Sequence, residues 1–224
     1  WGDVFFDSGT IAAAPSLIAG CYRQFNDADV IPLTLGGDHF ITYPILQALA
    51  EKHGPLSLIH FDAHSDTWED DGSRIDHGTM FYQAAKTGIV DPARSIQIGM
   101  RTHHEDTHGY QVLDARWLHR HGVDRAVEAI KARVGASACY LTFDIDFLDP
   151  AFAPGTGTPV VGGFDTHTAL EIIRGMAGIR IVGADVVEVS PPYDHAETTA
   201  LAAASNASSA RRACPSWAAA SARA

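Results

Sequence analysis

Three short motifs of aspartate and histidine each follow an apolar run of the sequence. Asp62-Ala63-His64-Ser65-Asp66 follows Leu-Ser-Leu-Ile-His-Phe, Asp144-Ile145-Asp146 follows Cys-Tyr-Leu-Thr-Phe, and Gly36-Gly37-Asp38-His39 follows Ile-Pro-Leu-Thr-Leu. Side chains alternate sides in an extended chain, so the acids and the histidine of the first motif are predicted to point the same way, as are both acids of the second. His60 is predicted to pack within the fold.

The acids of these motifs need a counter-charge if they share one pocket. Like charges about 4 Å apart repel by about 4 kcal/mol per pair at an effective dielectric of 20, and two divalent cations would cancel four carboxylates. The candidate ligands are four carboxylates and two imidazoles, with no thiolate: His39, Asp62, His64, Asp66, Asp144 and Asp146. This donor set predicts a binuclear site and favours manganese over zinc.

The alternative for any one motif is a turn or a helix cap with a satisfied histidine. Three motifs, each placed after an apolar run, favour the metal site over that alternative. Asp38 and Asp149 are interpreted as turn or capping residues.

Two further residues have types that suit catalysis. His77 lies at a predicted loop-to-helix junction, where it could act as an acid or base near neutral pH or serve as a cap. Glu188 interrupts a very apolar final strand. A buried glutamate is rare unless paired or functional, so Glu188 is predicted to bind a cationic substrate group or a buried arginine.

Apolar runs alternate with amphipathic stretches along the chain, which indicates an α/β fold with a mostly parallel sheet. The predicted strands are Val30–Leu35, Leu56–Phe61, Ser95–Gly99, Cys139–Phe143 and Ile179–Val189. The predicted helices are Ala12–Phe25, Tyr43–His53, His77–Thr87, Arg125–Val134 and Thr166–Met176. In such sheets ligands bind in the crevice at the carboxyl ends of the strands, which is where the motifs fall.

Composition limits the class of protein. The 224 residues are 46% hydrophobic with a formal net charge of −11, which fits a globular domain and makes nucleic acid or an anionic membrane surface a poor partner. Cys21, Cys139 and Cys214 are too scattered for a disulfide framework, so we expect a reducing, cytoplasmic setting. No apolar run of about 18 residues indicates a membrane-spanning helix. We predict a single catalytic domain over residues 1–204 and an atypical, frayed Ala/Ser-rich tail over 205–224.

Six linked motifs resemble the ureohydrolase family, which includes arginases and agmatinases. They are Gly36–His39, Phe61–Asp66, His77–Phe81, Phe143–Asp146, Asp149–Pro159 and Glu188–Pro191. Stretches such as His-Gly-Thr-Met-Phe and Ser-Ile-Gln-Ile-Gly-Met-Arg-Thr are similar to the bacterial agmatinase branch. The resemblance implies a three-layer α/β/α, arginase-like fold with a mostly parallel sheet, and a chain truncated at its N-terminus relative to the family.

The resemblance also implies roles for the candidate residues. His39 and Asp66 would bind one manganese, His64 and Asp146 the other, and Asp62 and Asp144 would bridge the two. His77 matches the family's proton-shuttling histidine, and Glu188 matches the carboxylate that meets the substrate guanidinium. The implied reaction is hydrolysis of agmatine to putrescine and urea by a metal-bridging hydroxide, in a homo-oligomer that is a trimer or hexamer.

Three other functions stay open from the sequence. A guanidino acid such as 4-guanidinobutanoate could replace agmatine, because only the tail of the substrate distinguishes the two. A non-catalytic homologue could keep the scaffold for assembly alone. A deacetylase-like enzyme on a related fold would use a mononuclear zinc and fewer aspartates, so the four acids count against it.

Overall fold

A parallel six-stranded sheet forms the centre of the computed structural model, which describes residues 2–5, 8–71, 74, 76–103 and 106–214. The strands are β1 (Leu33–Leu35), β2 (Ser57–Phe61), β3 (Ile96–Ile98), β4 (Gln111–Leu113), β5 (Cys139–Asp144) and β6 (Ile181–Val187). Their order is β1-β6-β5-β2-β3-β4, and each neighbouring pair is parallel.

Helices cover both faces of this sheet. They are α1 (Ala14–Asp27), α2 (Thr42–His53), α3 (Met80–Lys86), α4 (Ala115–Val134), α5 (Thr166–Gly175) and α6 (Thr198–Ala213). Apolar residues of α1, α2 and α3 pack on one face, and those of α4, α5 and α6 pack on the other. On β2, Leu58 faces the first helix layer and Ile59 faces the second. Because both faces of this strand are covered, it needs apolar residues on both. The predicted three-layer α/β/α fold is confirmed.

Some elements differ from the predicted ones. The short edge strand β4 was not predicted, and β6 ends at Val187 rather than Val189. Helix α4 begins at Ala115, ten residues before the predicted start, because Asp114 caps it by accepting a hydrogen bond from the backbone N–H of Trp117 at 2.6 Å. Gly122 interrupts α4 with a φ of 75°, which divides the helical pattern that the sequence shows.

The alanine-rich end is an ordered helix through Ala213, so the expectation of a frayed end is wrong for this part. One side of α6 is buried through small residues, among them Ala202, Ala203, Ala207 and Ala210. Small side chains let α6 approach the sheet and α5 closely, which a pattern search for large apolar residues misses. Residues 215–224 lie outside the described residues. Among the helices that the structure describes, none combines the length and apolar character needed to cross a bilayer.

Gly99 directly follows β3 and lies against the residues that follow β2 and β5. Its φ is +96°, and a Cβ placed there would lie 2.4 Å from Cδ2 of Phe147 and 3.0 Å from the carbonyl oxygen of Asp62. The position therefore excludes a side chain both by conformation and by space.

We expect Gly99→Ala to lower the free energy of unfolding by about 3 kcal/mol, because left-handed strain and overpacking add. Gly88→Ala is the matched control, since Gly88 has a φ of +75° but no atom within 4 Å of the added Cβ. That variant is expected to lose only about 1 kcal/mol. Urea denaturation of both variants measures the difference, and equal losses would contradict the packing argument.

Candidate metal centre

The candidate ligands and Glu188 lie at the carboxyl ends of four adjacent strands. His39 begins a one-turn helix just after β1, and the loop with Asp62, His64 and Asp66 follows β2. Asp144 ends β5, and Glu188 directly follows β6. Because β1, β6, β5 and β2 are neighbours in the sheet, these loops meet over one edge.

Strand parity is not the reason that the acids converge. Strand β2 ends at Phe61, and Asp66 has a left-handed φ of 52°. Asp146 lies in a one-turn helix, where its backbone N–H donates to Asp144 Oδ1 at 2.8 Å. The predicted convergence is therefore present, but compact turns produce it and continued strands do not.

One group of side chains surrounds the ring of His39, which is 1% exposed. The Oδ2 atoms of three aspartates lie near His39 Nδ1, at 3.1 Å for Asp66, 3.2 Å for Asp144 and 3.3 Å for Asp62. Among the described residues, this nitrogen has no hydrogen-bond partner of acceptable geometry. A buried acceptor facing three carboxylates is the arrangement that a cation between them would satisfy.

The other nitrogen of His39 is held by a buried network. Asp185 accepts hydrogen bonds from the hydroxyls of Thr142 (2.6 Å), Thr42 (2.7 Å) and Tyr140 (2.8 Å). Because Thr142 donates to Asp185, its oxygen accepts from His39 Nε2 at 2.8 Å. The ring proton therefore lies on Nε2, and Nδ1 is left facing the carboxylates. No local sequence pattern indicates this network, since the partners of Asp185 lie on β5 and α2.

A second group surrounds His64. Its Nδ1 lies 3.0 Å from Asp146 Oδ2 and 3.3 Å from Asp62 Oδ1. Asp62 is thus shared, with Oδ2 in the His39 group and Oδ1 in the His64 group. A carboxylate that gives one oxygen to each of two ligand groups has the geometry of a bridge between two ions.

No lysine or arginine in the described part of the chain forms an ion pair with these four aspartates. The nearest cation of this kind, Arg101, donates instead to backbone carbonyls, including those of Phe147, Leu148 and Val160. These bonds tie the loop after β3 to the loop after β5 without neutralising a carboxylate. The four acids therefore need their positive charge from elsewhere.

The pKa shifts of Asp144 and His39 reflect the concentration of negative charge in this site. Burial and the neighbouring charges of Asp146 and Asp62 raise the pKa of Asp144 well above its usual value. Burial opposes protonation of His39, yet the carboxylates of Asp144, Asp62 and Asp66 raise the pKa of His39 well above its usual value. Both directions reflect negative charge that no lysine or arginine of the described residues balances. The donor set of hard oxygens and imidazoles fits divalent ions in the same positions.

Two further side chains line the cavity beside the acids. Glu188 has a left-handed φ of 61°, and its Oε1 accepts from the backbone N–H of His39 at 2.6 Å. It is only partly buried, so the predicted buried strand glutamate is corrected to one at a strand end, and within the described residues it forms no ion pair with an arginine. His77 lies in the turn before α3, and its Nδ1 donates to Asp38 Oδ2 at 2.9 Å.

Asp38 and His60 are the site residues whose roles the sequence interpretation missed. Asp38 does cap its turn, accepting from Phe40 N, but it also holds His77 across 39 positions of sequence. His60 is fully buried as predicted, yet its Nε2 lies 2.7 Å from Asp62 Oδ2. A contact between residues distant in sequence leaves no local signal. The His60–Asp62 spacing of two residues does carry one, because it places both side chains on the same side of an extended chain.

The acids open onto a cavity of about 1060 Å³. Its outer wall carries Trp68, Glu69, Arg74, Asp76 and Asp106, and its floor includes His39, Asp66 and Asp144. Arg74 is largely exposed and paired with Asp76. The cavity is large enough for a small organic cation, and its wall is mainly acidic and aromatic.

We expect a divalent ion, tested as Mn²⁺ and Zn²⁺ after chelator treatment, to stabilise the protein. At one hundred times its Kd, an ion raises the free energy of unfolding by about 2.7 kcal/mol. Asp144→Asn is expected to lose most of this gain.

Without ions the variant is expected to be at least as stable as the parent at neutral pH. A carboxyl with a raised folded-state pKa loses its stabilising contribution as pH rises through that pKa, and asparagine has no such loss. Asparagine also retains the oxygen that accepts from Asp146 N. Thermal unfolding with and without the ion measures both effects, and a variant stabilised as much as the parent would contradict the assignment.

Comparison with known proteins identifies the family. The arginase family model matches residues 1–211. An agmatinase of Chromobacterium violaceum is 52% identical over 207 residues, which are 91% of this chain and 64% of that protein. An agmatinase of Neisseria meningitidis is 57% identical over 172 residues, 77% of this chain and 56% of that protein. The chain thus spans less than two thirds of the length of both relatives.

Solved structures agree in fold. The crystal structure of a hypothetical agmatinase from Burkholderia thailandensis superposes with a TM-score of 0.93 at 52% identity, covering 95% of this chain and 68% of that one. Proclavaminate amidino hydrolase from Streptomyces clavuligerus gives a TM-score of 0.86 at 36% identity, covering 95% and 75%. With the sheet order, the paired ligand groups and these matches together, the chain belongs to the arginase family.

Proposed function

We propose that this chain carries the catalytic site of a manganese-dependent ureohydrolase that converts agmatine and water to putrescine and urea. The observation that carries the proposal is the pair of His/Asp groups that share Asp62, beside the partly buried carboxylate of Glu188. Relatives that bear the name agmatinase support the choice of reaction.

The proposed ligand assignment follows the two groups. His39 and Asp66 would hold one Mn²⁺, His64 and Asp146 would hold the other, and Asp62 and Asp144 would contribute to both. The distances around His39 Nδ1 and His64 Nδ1 support this division, since each ring nitrogen faces its own aspartate and a different oxygen of Asp62. When bound, the two ions supply Lewis-acid activation of water near neutral pH.

Glu188 binds and orients the guanidinium. One of its oxygens accepts from His39 N, which fixes the carboxylate at the rim of the metal groups. Burial raises the pKa of Glu188, with a further contribution from the charge of Asp38. A guanidinium placed against the carboxylate restores the lost interactions through charge-assisted hydrogen bonds. The reacting carbon is thereby held beside the paired groups, which is the positioning that hydrolysis requires.

His77 moves the proton to the departing amine. Its Nδ1–H donates to Asp38, so Nε2 is the nitrogen available for proton exchange in the cavity. Burial opposes protonation of His77, but Asp38 raises the pKa of His77 above its usual value. The raised pKa favours the protonated form of His77, which is the form that can donate a proton as the amine departs.

The cavity wall favours a cationic tail over a carboxylate tail. Glu69, Asp76 and Asp106 line it, and Arg74 is the sole lysine or arginine among the described lining residues. Because Arg74 is paired with Asp76, its charge is already balanced. The ammonium of agmatine gains from this wall, whereas the carboxylate of 4-guanidinobutanoate is repelled.

The first test compares urea release from agmatine and from 4-guanidinobutanoate in the presence of Mn²⁺. We expect turnover of agmatine, a much lower rate with the guanidino acid, and loss of activity on chelation. Asp62→Ala is expected to fall to the background rate, because both ligand groups lose a shared oxygen.

Two outcomes would contradict the proposal in different ways. Turnover of the guanidino acid alone would keep the site and overturn the substrate. No urea from either substrate, in folded protein shown to hold two ions, would exclude catalysis by this chain and favour the scaffold alternative.

A second test follows from the Asp38–His77 pair. The alkaline limb of kcat is expected to move to lower pH in Asp38→Asn, because the protonated ring loses the negative charge that raises its pKa. The direction of this shift follows from the role of His77 as a proton donor. With a lower pKa, His77 loses its proton at a lower pH, and the rate falls there. A pH profile of kcat measures the limb. An unchanged limb would mean that another group donates the proton.

A further inference from the structure

His60 lies within bonding distance of the candidate metal groups, and its role there is open. Its ring is fully buried on β2, with Nε2 2.7 Å from Asp62 Oδ2. By position it could join His39, Asp62 and Asp66 as a ligand. It could equally hold Asp62 by donating a hydrogen bond. The location of the ring proton decides between these roles.

Gln97 on β3 settles where that proton lies. Its amide Nε2 donates to the carbonyl oxygen of Ser65 at 2.6 Å. A carbonyl only accepts hydrogen bonds, so the amide nitrogen must face Ser65 and the amide cannot be reversed. The same nitrogen lies 3.1 Å from His60 Nδ1 and has a second N–H to donate there. His60 Nδ1 is therefore the acceptor, and the ring proton lies on Nε2, facing Asp62.

The hydrogen bonds of Asp62 are consistent with a bridging role that depends on this donor. Oδ2 accepts from His60 Nε2, and Oδ1 accepts from the backbone N–H of His64 at 2.5 Å. A carboxylate oxygen has two lone pairs, so each oxygen keeps one after these bonds. The remaining pair on Oδ2 faces the His39 group, and that on Oδ1 faces the His64 group.

We propose that His60 and Gln97 are positioning residues that hold the Asp62 carboxylate across both metal positions, and that His60 is not itself a ligand. Gln97 fixes the tautomer of His60, and His60 fixes the rotation of the carboxylate. To bind an ion through Nε2, His60 would need its proton on Nδ1, where it would face the N–H of Gln97. The inference rests on the proposed metal site and goes beyond it to the residues that shape it.

The test measures Mn²⁺ binding by titration calorimetry and by the electron paramagnetic resonance signal of a coupled manganese pair. His60→Leu removes the donor and is expected to weaken binding by about 10- to 100-fold, with loss of the coupled signal. His60→Gln restores an N–H at a similar reach and is expected to recover most of the affinity. Gln97→Met removes the amide at similar volume and is expected to weaken binding by about 10-fold. Ser57→Ala, at the opposite end of β2 and also buried, is the control with unchanged binding.

Each other outcome overturns the inference. If both His60 variants lose one ion while Gln97→Met matches the control, His60 is a ligand. If His60→Leu is folded and binds as the parent does, His60 does not position Asp62, and if a folded Gln97→Met does so, Gln97 does not. Should His60→Leu fail to fold, His60→Gln and Gln97→Met decide alone by the same criteria. A parent protein that binds no ion would overturn the proposed function as well, so the two failures are distinguishable.

Discussion

Mutual repulsion among Asp62, Asp66, Asp144 and Asp146 is the constraint on which the rest of this structure depends. The four carboxylates meet within contact distance of two imidazoles, and no lysine or arginine among the described residues pairs with them. Such a cluster forms only if the rest of the fold holds it against its own charge. The strand ends place the acids, compact turns orient them, and backbone N–H groups donate to one oxygen each of Asp62, Asp144 and Asp146. In the proposed metal site, divalent ions would supply the balancing positive charge.

Holding the cluster requires a rigid layer beneath it. Asp185 gathers three hydroxyls inside the sheet and through Thr142 fixes the ring of His39. On the opposite side, Arg101 joins the loops after β3 and β5 by bonds to backbone carbonyls. These two arrangements are buried or partly buried, and neither contributes a ligand. Their common effect is that the geometry of the acids is set by the core of the domain rather than by flexible surface loops.

The residues of the candidate site could be predicted from the sequence, but the backbone geometry that brings them together could not. Residue types placed after apolar runs predicted six side chains that the structure brings together, since parallel strands deliver their ends to one edge, but His60 also lies in that group. The parity argument was wrong, because φ at Asp66 and the turn at Asp146 depend on tertiary contacts. The pairing of His77 with Asp38 spans 39 positions and has no local pattern. Similarly, α6 packs through alanines, and β4 is three residues long, so neither carries the periodicity by which elements are recognised.

Glu188 has a left-handed backbone conformation, which favours glycine over residues with a Cβ. A left-handed conformation costs a residue with a Cβ about 1–2 kcal/mol, and Glu188 adopts one directly at the end of β6. Glycine would remove this strain, but it would leave the backbone N–H of His39 without the acceptor that Glu188 supplies at 2.6 Å. The strained backbone at the end of β6 and the placement of a carboxylate beside the candidate ligands are therefore coupled in one residue, at the kind of site where proteins tolerate such strain.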